Sequence, residues 1–155
     1  MILDRLAASA RKRVEEKKRR RPLTELQREA EAMEKNTGFP FRQALEAEGI
    51  SFICEVKKAS PSKGIIAEQF PYLEIAEDYQ AAGAAAISVL TEPEYFLGQD
   101  RYLKEIARQA AVPVLRKDFT VDPYQIYEAK VLGASAVLLI CSILSLEQLK
   151  EYLKL

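Results

Sequence analysis

Two textures divide this chain. From Ile2 to about Lys35 there is almost no Gly or Pro, and the apolar positions Leu3, Leu6, Ala10 and Val14 follow helical spacing. The charged run from Arg11 to Arg21 ends at Pro22, which predicts a helix boundary there. A second helix is expected from Thr24, a plausible N-cap, to about Glu34, with Asn36-Thr37-Gly38 as its stop. Phe41 to Leu45 reads as a short helix leading onward.

From Ile50 the pattern changes to short apolar runs at Phe52–Val56, Ala85–Leu90, Val112–Leu115 and Ala136–Ile140. Between them lie helical patterns at Tyr72–Ala82, Arg101–Ala110 and Pro123–Leu132, the clearest stops being Gly83 and Gly133. Strand and helix alternating every ~25–35 residues is the signature of parallel βαβ units. The near-continuous apolar strands agree, because parallel strands are covered on both faces. Ser145 opens a further helix that no Gly, Asn or Pro closes before Leu155, so the chain reads as cut. The expected organisation is a helical extension over 1–48 and four βα units over 49–155.

Composition narrows the function classes. Lys and Arg together number 23, as do Asp and Glu, so no basic field points to nucleic acid. There is no histidine, which removes the commonest general base and metal ligand. Cys54 and Cys141 sit in or beside separate apolar runs without zinc-like spacing, and read as buried, reduced thiols. The N-terminus lacks the apolar core of a signal peptide, and no run reaches membrane-spanning length. A cytoplasmic protein without membrane partners is expected.

The chemistry concentrates where strands end. Glu55 and Lys57 are two residues apart and so share one face of the first strand. Ser60, Ser62 and Gly64 follow and offer hydroxyl and backbone donors to an anion. The plainer reading is a solvated pair beyond the buried part of the strand. On the third strand Leu115 and Lys117 share a face, and a desolvated ammonium near a second cation is a workable acid. The plainer reading here has Arg116 and Lys117 both solvated and paired with Asp118. Two parallel strands each ending in lysine favour convergence on one site, because α/β enzymes place chemistry at such ends. Tyr95 and Phe96, in the loop after the second strand, either wall an apolar pocket or anchor the loop. The basic run Arg11–Arg21, with its interspersed glutamates, reads as a solvated helix face.

The segments Glu55–Ser62, Ile87–Glu92 with Tyr95–Gly98, Leu115–Phe119 and Gly133–Ile140 resemble, in order and spacing, those of the indole-3-glycerol phosphate synthase family. The helical extension also resembles that family, and the likeness covers essentially the whole chain. It implies a TIM (β/α)8-barrel, here a partial one of about four parallel βα units. The implied reaction is the closure of 1-(2-carboxyphenylamino)-1-deoxyribulose 5-phosphate, with loss of CO2 and water, to indole-3-glycerol phosphate in tryptophan biosynthesis. By carry-over Lys117 is the principal general acid, Lys57 holds substrate anions and serves as a second acid, and Glu55 orients both. Ser60 and Pro61 line the substrate site, and Phe96, Phe119 and Leu138 wall the anthranilate ring. No metal or organic cofactor is implied.

A complete barrel has eight strands in about 250 residues, so four strands fall short of it. The family's glutamate base on the fifth strand, the asparagine of the sixth and the later phosphate loops have no counterpart here. A chain of this extent is expected to be inactive alone, and to self-associate or require a C-terminal half, because open strand edges invite pairing. Two other readings are a relative of phosphoribosylanthranilate isomerase and a non-catalytic half-barrel used as a folding or assembly unit.

Overall fold

The computed structural model describes residues 2–155, so only Met1 of the expected extension lies outside it. Helix α1 (Ile2–Arg20) buries Leu6, Ala7, Ala10 and Val14 on one stripe. Helix α2 (Leu23–Ala32) buries Leu26 and Ala30. Its N-cap is Pro22 rather than Thr24, which lies inside the first turn. The proline ring fixes φ at −60°, and ψ of 148° completes the extended geometry a cap needs. The helix stops at Ala32, earlier than expected, where the Met33 amide donates to Ala30 O. Helix α3 (Pro40–Leu45) carries proline in its first turn.

Strand β1 (Ile53–Val56) is followed by a small antiparallel hairpin that periodicity did not reveal, β2 (Ala59–Ser60) and β3 (Gly64–Ile65). Then come α4 (Tyr72–Ala81), β4 (Ala86–Leu90), α5 (Asp100–Gln109), β5 (Val114–Lys117) and α6 (Pro123–Leu132). Strand β6 (Ala136–Val137), a 3-10 turn at Cys141–Ile143 and α7 (Leu146–Lys154) complete the order. Asp122 caps α6 by accepting from the Tyr124 amide, and Gly133 ends it at φ 93°. Only glycine reaches that conformation cheaply. Ser145 opens α7 with a full capping box.

The four longer-range strands form one parallel sheet in the order β1-β4-β5-β6. Register pairs Glu55 with Ser88, Ser88 with Leu115, and Leu90 with Lys117. Alternation sends Val56, Ile87, Val89 and Val114 toward the helices, where they pack with Ala76, Leu103 and Ile106. Ile87 and Leu103 are fully buried, each stabilising the fold by roughly 1.5–3 kcal/mol. Glu55, Ser88, Leu115 and Lys117 take the opposite face. Each outer strand, β1 and β6, has one neighbour among the described residues. Beside β1, Ile50 is 84%, Phe52 62% and Ile53 45% exposed.

Two expectations need correction, and the plainer reading of the third strand fails. The run Ala136–Ile140 is a strand only over Ala136–Val137, because β5 offers it pairing only at Leu115 and Arg116. Neither cysteine is fully buried: Cys54 is half-buried and Cys141 is exposed on the 3-10 turn. Arg116 is not solvated, because strand parity puts it on the helix-facing side with Val114. There Nη2 donates to Glu128 at 2.7 Å and Asp100 at 2.9 Å, Nη1 to Gln125 O at 3.0 Å, and Nε to Thr91 Oγ1 at 3.2 Å. Burial works against its charge, but Asp100, Glu128 and Asp118 outweigh that and strengthen its hold on the proton.

The basic run is likewise only partly a solvated face. Lys17 bonds Asp100 and, at 2.7 Å, Glu128, while Lys18 bonds Asp122 at 2.7 Å. These contacts, with Val14 and Leu26 packed on Tyr124, dock the extension on α5 and α6.

Candidate active site

One carboxylate organises the strand-end face. Glu55 Oε1 accepts from Lys57 Nζ at 3.0 Å, and Oε2 accepts from Lys117 Nζ at 2.7 Å. Ser88 Oγ on β4, between the two strands, donates to Oε2 at 3.2 Å. Tyr79 of α4 fixes the backbone of the same residue by donating to Glu55 O at 3.1 Å. The two lysines expected to converge therefore share one anion. The solvated-pair reading of Glu55 and Lys57 fails, since Glu55 also spans to β5.

The electrostatics follow from this geometry. Burial pushes the Glu55 carboxyl up, but the hydrogen bonds from Lys117 and Lys57, with their charges, more than reverse that push. The group lies below the usual carboxylate range and stays ionised at neutral pH. The side chains of Lys57 and Lys117 are 33% and 35% exposed, so both ammonium groups remain open to a ligand.

The other expected site residues are placed less uniformly. Phe96 and Phe119 come together with ring centroids 6.2 Å apart and an interplanar angle of 40°. Both are half-buried, as is Leu138, which lies one residue beyond β6. Ser60 is half-buried and its Oγ accepts from the Lys63 amide at 3.3 Å, closing the hairpin turn. Pro61 is exposed at the tip of that turn. Ser88 and Tyr79 escaped the sequence reading. Ser88 could have been found by parity, as a small polar residue inside an otherwise apolar strand.

A cavity of about 720 Å³ lies elsewhere, between the segment after α2, helix α6 and β6, and is lined by Phe39, Tyr127, Lys130 and Ala136. None of the Glu55–lysine cluster lines it. Among the described residues, no group of three or more His, Cys, Asp or Glu is placed to hold a metal ion. No helix among them is long and apolar enough to cross a membrane.

Two ammonium groups thus meet one carboxylate across parallel strands β1 and β5, and the rings of Phe96 and Phe119 meet in the loops after β4 and β5. A sequence model described as indole-3-glycerol phosphate synthase matches residues 3–155. Among curated relatives of that name, the protein of Ruminiclostridium cellulolyticum is 56% identical over 155 residues, 100% of this chain and 60% of its own length. That of Endomicrobium trichonymphae is 55% identical over 154 residues, covering 99% and 60%. That of Lacticaseibacillus paracasei is 52% identical over 155 residues, covering 100% and 60%. The chain thus spans about 60% of the length of these relatives. Its four-stranded parallel sheet with its helices forms a partial (β/α)8 barrel, and the chain belongs to the indole-3-glycerol phosphate synthase family.

Proposed function

We propose that this chain carries the acid half of an indole-3-glycerol phosphate synthase active site. The substrate is 1-(2-carboxyphenylamino)-1-deoxyribulose 5-phosphate. The observation that carries the reading is the single Glu55 carboxylate bonded to Lys57 at 3.0 Å and Lys117 at 2.7 Å.

In this proposal Lys117 polarises and protonates the ketone oxygen as the ring carbon bearing the carboxylate attacks the carbonyl carbon. The new C–C bond forms, the C–O π electrons end as a hydroxyl, and CO2 then leaves with its bonding electrons returning to the ring. The hydroxyl, protonated by Lys57, then leaves as water while the neighbouring CH2 next to the nitrogen gives up a proton to the uncharged Lys117, which forms the second ring double bond of the indole. Placing a cation where negative charge develops is the larger part of such catalysis, and general-acid transfer contributes ~10²–10⁴-fold. Lys57 holds substrate anions and serves as a second acid. Glu55 keeps two like charges close together in the free protein and gives Lys117 up to the ketone when substrate enters. Ser60 and Pro61 border the substrate, and Phe96, Phe119 and Leu138 wall the anthranilate ring.

Residues 1–48 form an extension on a half-barrel at 49–155. The strand edges of β1 and β6 take up further polypeptide, either a second copy of this chain or chain of the kind that makes up the remaining length of the relatives. A phosphorylated small substrate and two free cysteines suit a cytoplasmic setting. The test fuses this chain to the remaining length of the Ruminiclostridium relative and follows the fluorescence of the indole product. Substrate-dependent product formation is expected, and its absence in a folded fusion would refute the proposal.

A further inference from the structure

Arg13 of α1 reaches two carboxylates on different loops. Its Nη1 donates to Glu92 Oε1 at 3.3 Å and its Nη2 to Asp118 Oδ1 at 2.6 Å. Both carboxylate side chains are 1% exposed. Each also accepts from further donors.

Glu92 Oε1 accepts from the Glu94 amide at 3.0 Å, and Oε2 from those of Tyr95 at 2.7 Å and Phe96 at 3.0 Å. Asp118 Oδ1 accepts from the Phe119 amide at 2.8 Å, and Oδ2 from Thr91 Oγ1 at 2.6 Å. The loop after β4 needs such a holder. Leu97 sits at φ 53°, a left-handed conformation disfavoured for a side chain of its size. Two of the four residues whose amides are fixed this way, Phe96 and Phe119, are those whose rings meet. Phe119 also packs on Ala7 and Ala10 of α1.

We propose that Arg13, acting through Glu92 and Asp118, is a positioning residue that presets the Phe96–Phe119 wall for an aromatic carboxylate ligand. The ligand class rests on the function proposed above, whereas the tie rests on the contacts alone. A guanidinium suits the task because its planar fork serves two carboxylates at once, which a lysine ammonium does less well. The buried anions in turn keep their orientation because each has several donors.

The test is residue-resolved amide exchange by NMR on the 155-residue chain. R13M is expected to speed exchange at least tenfold at Glu94, Tyr95, Phe96 and Phe119. The amides of Ile87 and Thr91, bonded to Pro113 O and Lys117 O, should keep their rates. R13K retains the charge but holds one carboxylate, so one set of amides is released and the other stays protected. Wild-type rates at all four amides in either variant would overturn the proposal. So would acceleration that runs in step with Ile87 and Thr91, which marks general loosening.

Anthranilate, followed by its own fluorescence, supplies the ligand measurement. R13M is expected to bind it at least fivefold more weakly than the wild-type chain. Equal affinity in the two would refute the positioning role. No binding by the wild-type chain would refute the ring site of the proposed function, and the exchange rates would still decide the tie.

Discussion

Replacing Arg116 with methionine removes the cation at the centre of the buried network while nearly conserving volume. The Arg116 side chain is 2% exposed, with Glu128 at 2.7 Å and Asp100 at 2.9 Å. Removing one partner of a buried pair costs about 3–5 kcal/mol, because the remaining charge is left without compensation. Two lost charge-assisted hydrogen bonds, at ~1.5–3 kcal/mol each, give a similar range. Lys17 still reaches both carboxylates, which places R116M at the lower end, about 3 kcal/mol. With a urea slope near 2 kcal/mol/M, the unfolding midpoint falls by roughly 1.5 M.

The pH dependence makes the test sharper. Burial pushes the Asp100 carboxyl up, but Arg116 and Lys17 outweigh it and hold the group below its ordinary value. In the wild type, Asp100 therefore adds stability above the unfolded-state pKa, lost as pH falls through the folded value. Without Arg116 the strongest cation acting on Asp100 is lost, so the folded pKa rises toward the unfolded one. R116M should then lose less stability than the wild type as pH falls, so the gap narrows between about pH 5 and about pH 3. Urea unfolding followed by circular dichroism at both pH values measures it. A loss below ~1 kcal/mol, or a gap independent of pH, would refute the buried-network account.

Four further outcomes follow from other parts of the molecule. Gly98→Ala puts a Cβ 2.4 Å from Leu90 O, so the loop must shift, and thermal unfolding should report ~1–3 kcal/mol of destabilisation. In a carbon-13 NMR titration, Glu55 should titrate below the ordinary glutamate range, and its midpoint should rise in K117M as one stabilising cation is lost. Because Glu55 and both lysines are partly exposed, E55Q should lower stability near neutral pH by no more than ~1 kcal/mol, the difference vanishing as pH falls through the folded Glu55 value. Light scattering on the isolated chain should give a mass above the 17.5 kDa protomer, since edge strands and exposed Ile50 and Phe52 favour association, and a monodisperse protomer would count against it.

Where periodicity was strong, the sequence was sufficient. Helix α6 was legible to the residue because Pro123 and Gly133 punctuate it, and the four parallel strands followed from their apolar runs. Same-face spacing of Glu55 with Lys57 also led directly to the cluster. The burial of Arg116 went unseen because adjacent charges at Arg116, Lys117 and Asp118 look like one solvated patch. Strand alternation sends the first to the helices and the second to the opposite face. Val114, two residues before Arg116 and clearly core-forming, was the available signal for a buried cation in need of carboxylates. Arg13 and Lys17 were hidden for a different reason. Their partners lie 79 to 111 positions away in sequence, and local composition carries no information about such pairings.

In the proposed function Lys117, held by Glu55, is the acid of a decarboxylating ring closure. The most direct measurement is steady-state turnover of 1-(2-carboxyphenylamino)-1-deoxyribulose 5-phosphate by the fusion described above, comparing wild type with K117M. A drop in kcat of about 10²–10⁴-fold is expected, with KM changed only a few-fold. A K117M enzyme whose kcat stays within ~10-fold of wild type would contradict the assignment.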